Sequence, residues 1–144
     1  LDTNSRRPLK SACAGQDVTF EVGYDSTDEH PLRNVNLGLA FFSSSGQFVM
    51  VLNSRMANEA FERLPPRGKV YCRVERFPLM FGCFNVQATV KCQRIIADQV
   101  EHAATIEVEP GDFFGTGQVH ASKQQGVYVP HHWSKQPAVL EAAA

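Results

Sequence analysis

The chain has 144 residues with 14 basic and 15 acidic side chains, a net charge of -1, and at that length it reads as one domain. With no cationic surplus and no Lys/Arg run, it lacks the phosphate-neutralising surface that nucleic-acid binding draws on, so no nucleic acid is expected as a partner. No apolar stretch reaches the roughly 18 residues a membrane-spanning helix needs.

Residues 1–15 are polar and irregular, with Arg6-Arg7-Pro8, and read as the end of a linker. They lack the apolar run of a signal peptide, and the missing initiator Met suggests a fragment. From Asp17 the pattern has period two, and Val18, Phe20, Val22 and Tyr24 share one face. The polar run 25–31 is a loop. Next, Val35, Leu37, Leu39 and Phe41 point inward while Asn34, Asn36, Gly38 and Ala40 point outward. Ser43–Gly46 has turn composition, and Phe48–Leu52 is a continuous apolar strand.

Met56–Leu64 has brief helix-like spacing, so a short helical turn or an irregular excursion is expected there, stopped by Pro65-Pro66-Arg67-Gly68. Lys69–Phe77 alternates again through Val70, Cys72 and Val74. The cleanest strand is Phe84–Cys92, with Phe84, Val86, Ala88, Val90 and Cys92 inward and Asn85, Gln87, Thr89 and Lys91 outward. Arg94–Glu101 reads as a loop and Ala104–Val108 as a strand. Phe113-Phe114-Gly115-Thr116-Gly117 reads as a flexible connector, and Gln125–Val129 as a last strand before Trp133. Seven or eight short strands with polar turns argue for an all-β sandwich of two antiparallel sheets over 16–133. Residues 134–144 read as a tail or cloning scar.

Catalytic constellations are not expected. His30, His102, His120, His131 and His132 show no metal-ligand spacing, and no nucleophile elbow is present. The acidic loop residues Asp25, Asp28 and Glu29 lack the ordered spacing of a calcium loop. No cofactor and no metal are therefore expected. Cys13, Cys72, Cys83 and Cys92 contain no C-x-x-C pair. Cys72 and Cys92 sit on apolar strand positions, where free thiols behave as small hydrophobes, although an even count leaves disulfides open.

In an immunoglobulin-type sandwich the third, sixth and seventh strands lie side by side. If 34–41, 84–92 and 103–108 take those places, one outward face carries Asn34, Asn36, Gly38, Asn85, Gln87, Thr89 and Lys91, with Thr105 and Glu107 beside them. Carboxamides donate and accept together, which suits alternating sugar hydroxyls, and Gly38 and Ala40 leave a shallow trough. Outward residues are polar in any half-solvated sheet, so the face permits glycan binding without requiring it. Tyr24, Tyr71, Tyr128 and Trp133 are the further stacking candidates, with Trp133 read as an anchor for the last strand.

Taken together, Gly15-Gln-Asp-Val-Thr-Phe, Leu37-Gly-Leu-Ala-Phe-Phe, Gly46-Gln-Phe-Val, Leu64-Pro-Pro-Arg-Gly-Lys-Val, Phe77-Pro-Leu-Met-Phe-Gly-Cys-Phe, Ala103-Ala-Thr-Ile-Glu-Val and Phe113-Phe-Gly-Thr-Gly form an ordered string. It resembles the C-terminal domain of Wzt, the ATP-binding component of ABC transporters that export O-antigen polysaccharide. The resemblance runs from about Asp17 to Trp133. It departs at Gly82-Cys83-Phe84, where the family often has Gly-x-Tyr, and at the acidic loop 25–29.

The resemblance implies an immunoglobulin-like or jelly-roll sandwich without catalysis that recognises the capped, non-reducing end of an O-polysaccharide. It also implies a homodimer, with a final strand near Gln118–Val129 exchanged between partners. In the parent protein it implies a nucleotide-binding domain and a transmembrane transporter subunit, placing the domain in the cytoplasm at the inner face of the inner membrane. The competing expectation is an extracellular structural or adhesive immunoglobulin-like domain.

Overall fold

In the computed structural model, which describes residues 1–120 and 126–135, the chain forms eight strands and, among those residues, no helix. The strands are β1 (Ala12–Cys13), β2 (Val18–Asp25), β3 (Leu32–Ser43), β4 (Phe48–Asn53), β5 (Phe61–Leu64), β6 (Arg67–Val74), β7 (Gly82–Cys92) and β8 (Ile95–Glu109). One sheet has the order β1-β8-β7-β3-β4. Its main ladders are antiparallel, and β1 adds a short parallel pair at the β8 edge. The β4 side of β3 is shared, because β4 pairs Gly38–Phe42 and β5 pairs Leu32–Val35. β2 and β6 form the second sheet, in register from Val18↔Val74 to Asp25↔Arg67. This is the all-β sandwich expected from alternation, of the immunoglobulin-like type that the resemblance implies, with one parallel pair added.

The inward residues of the two sheets meet around three rings. Phe20 of β2 lies 5.5 Å from Phe41 of β3 and 6.0 Å from Phe77, which follows β6. Phe41, Phe77, Phe84 and Leu79 are fully buried. Burying each such side chain stabilises the fold by about 1.5–3 kcal/mol, and edge-to-face ring contacts add about 0.5–1.5 kcal/mol per pair. The smaller, two-stranded sheet leaves part of the larger one uncovered. Clefts of about 500 and 770 Å³ remain on its two sides, both reaching Val22, Leu37 and Leu39.

Three local expectations change. Met56–Leu64 divides into a turn, closed by Ala57 N–H donating to the Asn53 carbonyl (3.1 Å), and then β5. The Asn53 side chain accepts from the N–H groups of Arg55 and Met56, both at 3.0 Å, so carboxamide capping tightens one turn without starting a helix. Arg94–Glu101, read as a loop, is largely strand, because β8 begins at Ile95 and pairs back onto β7. Residues 1–15 carry β1, with Ala12 and Ala14 buried and the Leu1 amino group donating to Thr19 O at 2.8 Å.

The connector after β8 is held in place. Phe113 is buried, Arg76 lies 4.4 Å over its ring and donates to its carbonyl at 2.6 Å, and Tyr128 stacks on it at 5.1 Å. The Asp112 carboxylate accepts from the N–H groups of Thr116 (3.1 Å) and Gly117 (2.8 Å). Of the expected last strand, Gln125 lies outside the described residues. The rest makes one bridge, Val127 with Leu79, flanked by Met80 N–H to Gly126 O and Tyr128 N–H to Pro78 O.

Candidate functional site

The register of β3, β7 and β8 builds the outer face of the larger sheet. Asn36 stands opposite Lys91, Gly38 opposite Thr89, Ala40 opposite Gln87 and Phe42 opposite Asn85. Thr105 and Glu107 extend the face across β8, opposite Asn85 and Cys83. Asn36, Gly38, Asn85, Gln87, Thr89 and Lys91 are all half-buried. Gly38 forms the floor of the trough, since a Cβ there would meet only Asn53 Nδ2 at 3.7 Å and Leu52 O at 3.8 Å.

Two of these side chains are partly committed. Asn36 Oδ1 accepts from Ser54 Oγ and from Arg55 N–H, both at 2.8 Å, which leaves its Nδ2 hydrogens for a ligand. Asn85 Oδ1 accepts from the Thr105 hydroxyl at 3.3 Å. Gln87 lies at the register shift between Val86 and Ala88, where β8 carries extra residues. A β-bulge at such a place re-aims the local side chains.

Asn34 stands apart, because its backbone is left-handed (φ 49°) and the strand kinks there. Its carbonyl accepts from Gln93 N–H at 3.2 Å. This bond ties the kink to the β7–β8 turn. Around the kink lies an open cleft of about 500 Å³, lined by Asn34, Asn36 and Lys91 together with Arg55, Phe61, Glu62, Gln93 and Arg94. Arg55, Gln93 and Arg94 were not among the candidates, because they sit in turns with no period to read.

Apolar surface borders the trough on the other side. Phe42 and Phe48 face each other across β3 and β4 with ring centroids 5.8 Å apart, and Phe48 and Val51 are exposed. The aromatic residues singled out from sequence lie elsewhere. Tyr24 donates to the Pro65 carbonyl at 2.9 Å, Tyr71 is on the smaller sheet and Tyr128 packs on Phe113. Trp133, expected to anchor the last strand, is 91% exposed. It meets His131 edge-on at 6.0 Å, so too little ring area is covered to fix a strand.

In the acidic loop Asp25 pairs with Arg67 (2.9 Å) and the Asp28 carboxylate meets His30 Nδ1 at hydrogen-bond distance (2.8 Å). Hydrogen bonds from His30 hold the Asp28 carboxyl below its ordinary range. All four cysteines are free thiols; Cys83 is exposed and the other three are half-buried. The Cys13 thiol is pushed up by burial and by Glu109, and Cys72 by burial and by Glu59.

Fold and face together define an immunoglobulin-like β-sandwich domain with a row of half-buried polar residues on the open side of its larger sheet. The family model of the Wzt C-terminal domain matches residues 1–121, and the chain belongs to that family. The family is one of carbohydrate-binding modules of ABC transporters. A crystal structure of the C-terminal domain of Wzt superimposes with a TM-score of 0.54, covering 84% of this chain and 74% of its own, at 14% identity. That is a likeness of fold. Among curated proteins, none matches. Among the described residues, no helix is long and apolar enough to cross a membrane.

Proposed function

We infer that this domain recognises, without catalysis, the capped non-reducing end of an O-antigen polysaccharide and couples it to export by an ABC transporter. The carrying observation is the register that lays Asn36, Gly38, Gln87, Thr89 and Lys91 on one face, with Gly38 as its floor. Family membership supports the transporter context. The carboxamides and the threonine supply paired donors and acceptors for sugar hydroxyls. Phe42 and Phe48 offer apolar ring faces beside them.

In this reading the parent protein joins the domain to a nucleotide-binding domain, which meets a transmembrane subunit at the cytoplasmic face of the inner membrane. The domain acts as a homodimer in which the segment near Gln118–Val129 is exchanged. A strand reached through a long connector can pair at home or in a partner. Sedimentation equilibrium tests the dimer: a monomer at all accessible concentrations refutes it.

The recognition claim is tested by titrating the domain with capped and uncapped O-polysaccharides. Saturable binding that weakens in Gln87→Ala and Thr89→Ala but not in Tyr71→Ala is the expected result. No binding at millimolar glycan refutes recognition. Binding lost only in Tyr71→Ala moves the site to the smaller sheet.

A further inference from the structure

The balanced sequence charge hides a local asymmetry. Around the kink of β3, the cleft gathers Arg55 from the turn after β4, Lys91 from the end of β7 and Arg94 from the β7–β8 turn, against the single acid Glu62. None of the ion pairs found among the described residues involves these three cations. Next to the cleft, Arg33 of β3 stands directly opposite Arg63 of β5. Like charges placed across a ladder destabilise it.

The backbone around the cleft is also unfavourable in its own right. Asn34, Gln93 and Arg94 all have positive φ, at 49°, 51° and 67°. A two-residue turn with both residues left-handed ordinarily takes Asn-Gly or Asp-Gly. With Gln-Arg there instead, two donor-bearing side chains border the cleft at a cost in backbone strain. Asn36 fixes the other wall through its bond to Arg55 N–H at 2.8 Å.

We propose that this cleft is an anion subsite that takes a carboxylate or phosphate group carried by the glycan. The inference rests on the glycan-binding reading and names the chemical class at one end of that face. Arg55 and Arg94 present planar donor forks suited to an oxyanion, Lys91 adds a point charge, and the Asn34 and Asn36 carboxamides supply neutral donors. The trough of Gly38, Gln87 and Thr89 continues from Lys91 along the same face, so an acidic sugar would seat its charge in the cleft and its ring beyond it.

The test uses the full chain, titrated by NMR and calorimetry with four probes: glucuronate, glucose 6-phosphate, inorganic phosphate, and a capped O-polysaccharide whose sugars and cap are neutral. The expected result is binding of one or more anions, with shifts at the Arg55 and Gln93 amides and affinity falling as salt rises. Arg55→Gln and Arg94→Gln each weaken it about tenfold, the size of one charge-assisted contact, and Glu62→Gln strengthens it. Glucuronate against glucose 6-phosphate separates a carboxylate from a phosphate site. Binding of the neutral polysaccharide with no anion preference overturns the anion subsite and leaves glycan recognition standing. Anion binding that needs Arg94 supports the subsite; if O-polysaccharides bearing a carboxylate or phosphate then fail to bind at millimolar concentration, the glycan reading is refuted while the subsite stands. Unchanged melting temperatures in the Gln variants exclude misfolding as the cause of lost affinity.

Discussion

Asn36 serves both the scaffold and the proposed face, and the two roles separate by substitution. Its Oδ1 accepts from Ser54 Oγ and Arg55 N–H, while the residue also lines the cleft at the end of the face. Asn36→Ala removes both acceptor contacts. The Arg55 N–H keeps Asn53 Oδ1 at 3.0 Å, so the full loss falls on the Ser54 hydroxyl. A net hydrogen bond contributes about 1 kcal/mol. Asn36→Ala should therefore destabilise by about 1–1.5 kcal/mol, a fall of about 3–5 °C in Tm for a domain of this size. Asn36→Asp keeps an acceptor of the same shape and replaces the donor with negative charge. It should melt within about 1 °C of the wild type, since the acceptor bonds survive, yet lose glycan or anion binding. Calorimetric melting with a parallel binding titration reads both effects. If Asn36→Asp is as unstable as Asn36→Ala, the acceptor role is wrong; if it binds like the wild type, Asn36 is scaffold alone.

Other substitutions probe the fold and the trough. Gly111→Ala would place its Cβ 2.0 Å from the Ala14 carbonyl oxygen, so β1 must leave β8, and urea midpoints should show a loss of about 3 kcal/mol. Phe84→Ala, at a fully buried position, should lose about 3–5 kcal/mol by the same measurement. At Gly38 an added Cβ meets only ordinary contacts, so Gly38→Ala should melt normally while raising the floor of the face and weakening glycan binding. Iodoacetamide under native conditions should label exposed Cys83 before Cys13 and Cys72, as peptide mass spectrometry would show. The raised Cys13 and Cys72 thiols make the folded state hold their protons more tightly than the ordinary value of 9.0. Their contribution is thus complete below pH 9 and lost as pH rises through the raised values. Between pH 8 and pH 10 a Cys13→Ala/Cys72→Ala variant should lose less stability than the wild type.

Much of the larger sheet was legible because its central strands obey period two. In β3, Val35, Leu39 and Phe41 are buried at two- and four-residue spacings. In β7, Phe84 and Val86 do the same. Their adjacency followed from the immunoglobulin order, and their pairing sets Asn36 beside Lys91 and Gly38 beside Thr89. The first half of β8 was illegible for a physical reason. The smaller sheet does not cover it, so Ile95–Thr105 is exposed on both faces. Alternation marks only strands buried on one face. β5 was missed because four residues are too few to show a period against the helix-like spacing of Met56, Ala60 and Phe61.

The two strongest misreadings, at 56–64 and 94–101, lie on opposite sides of the basic cleft. Both stretches have a structure dictated by pairing and capping against local preference. Gln93 and Arg94 take a turn that their side chains disfavour, and Arg63 faces Arg33 across a ladder. Sequences keep such local conflicts where something besides stability depends on them. The conflicts here converge on the end of the face where Asn34, Asn36 and Lys91 meet Arg55 and Arg94. In the proposed reading, the weight of recognition falls at this end of the face rather than evenly along it, with Asn85 and Gln87 extending the surface toward Phe42 and Phe48.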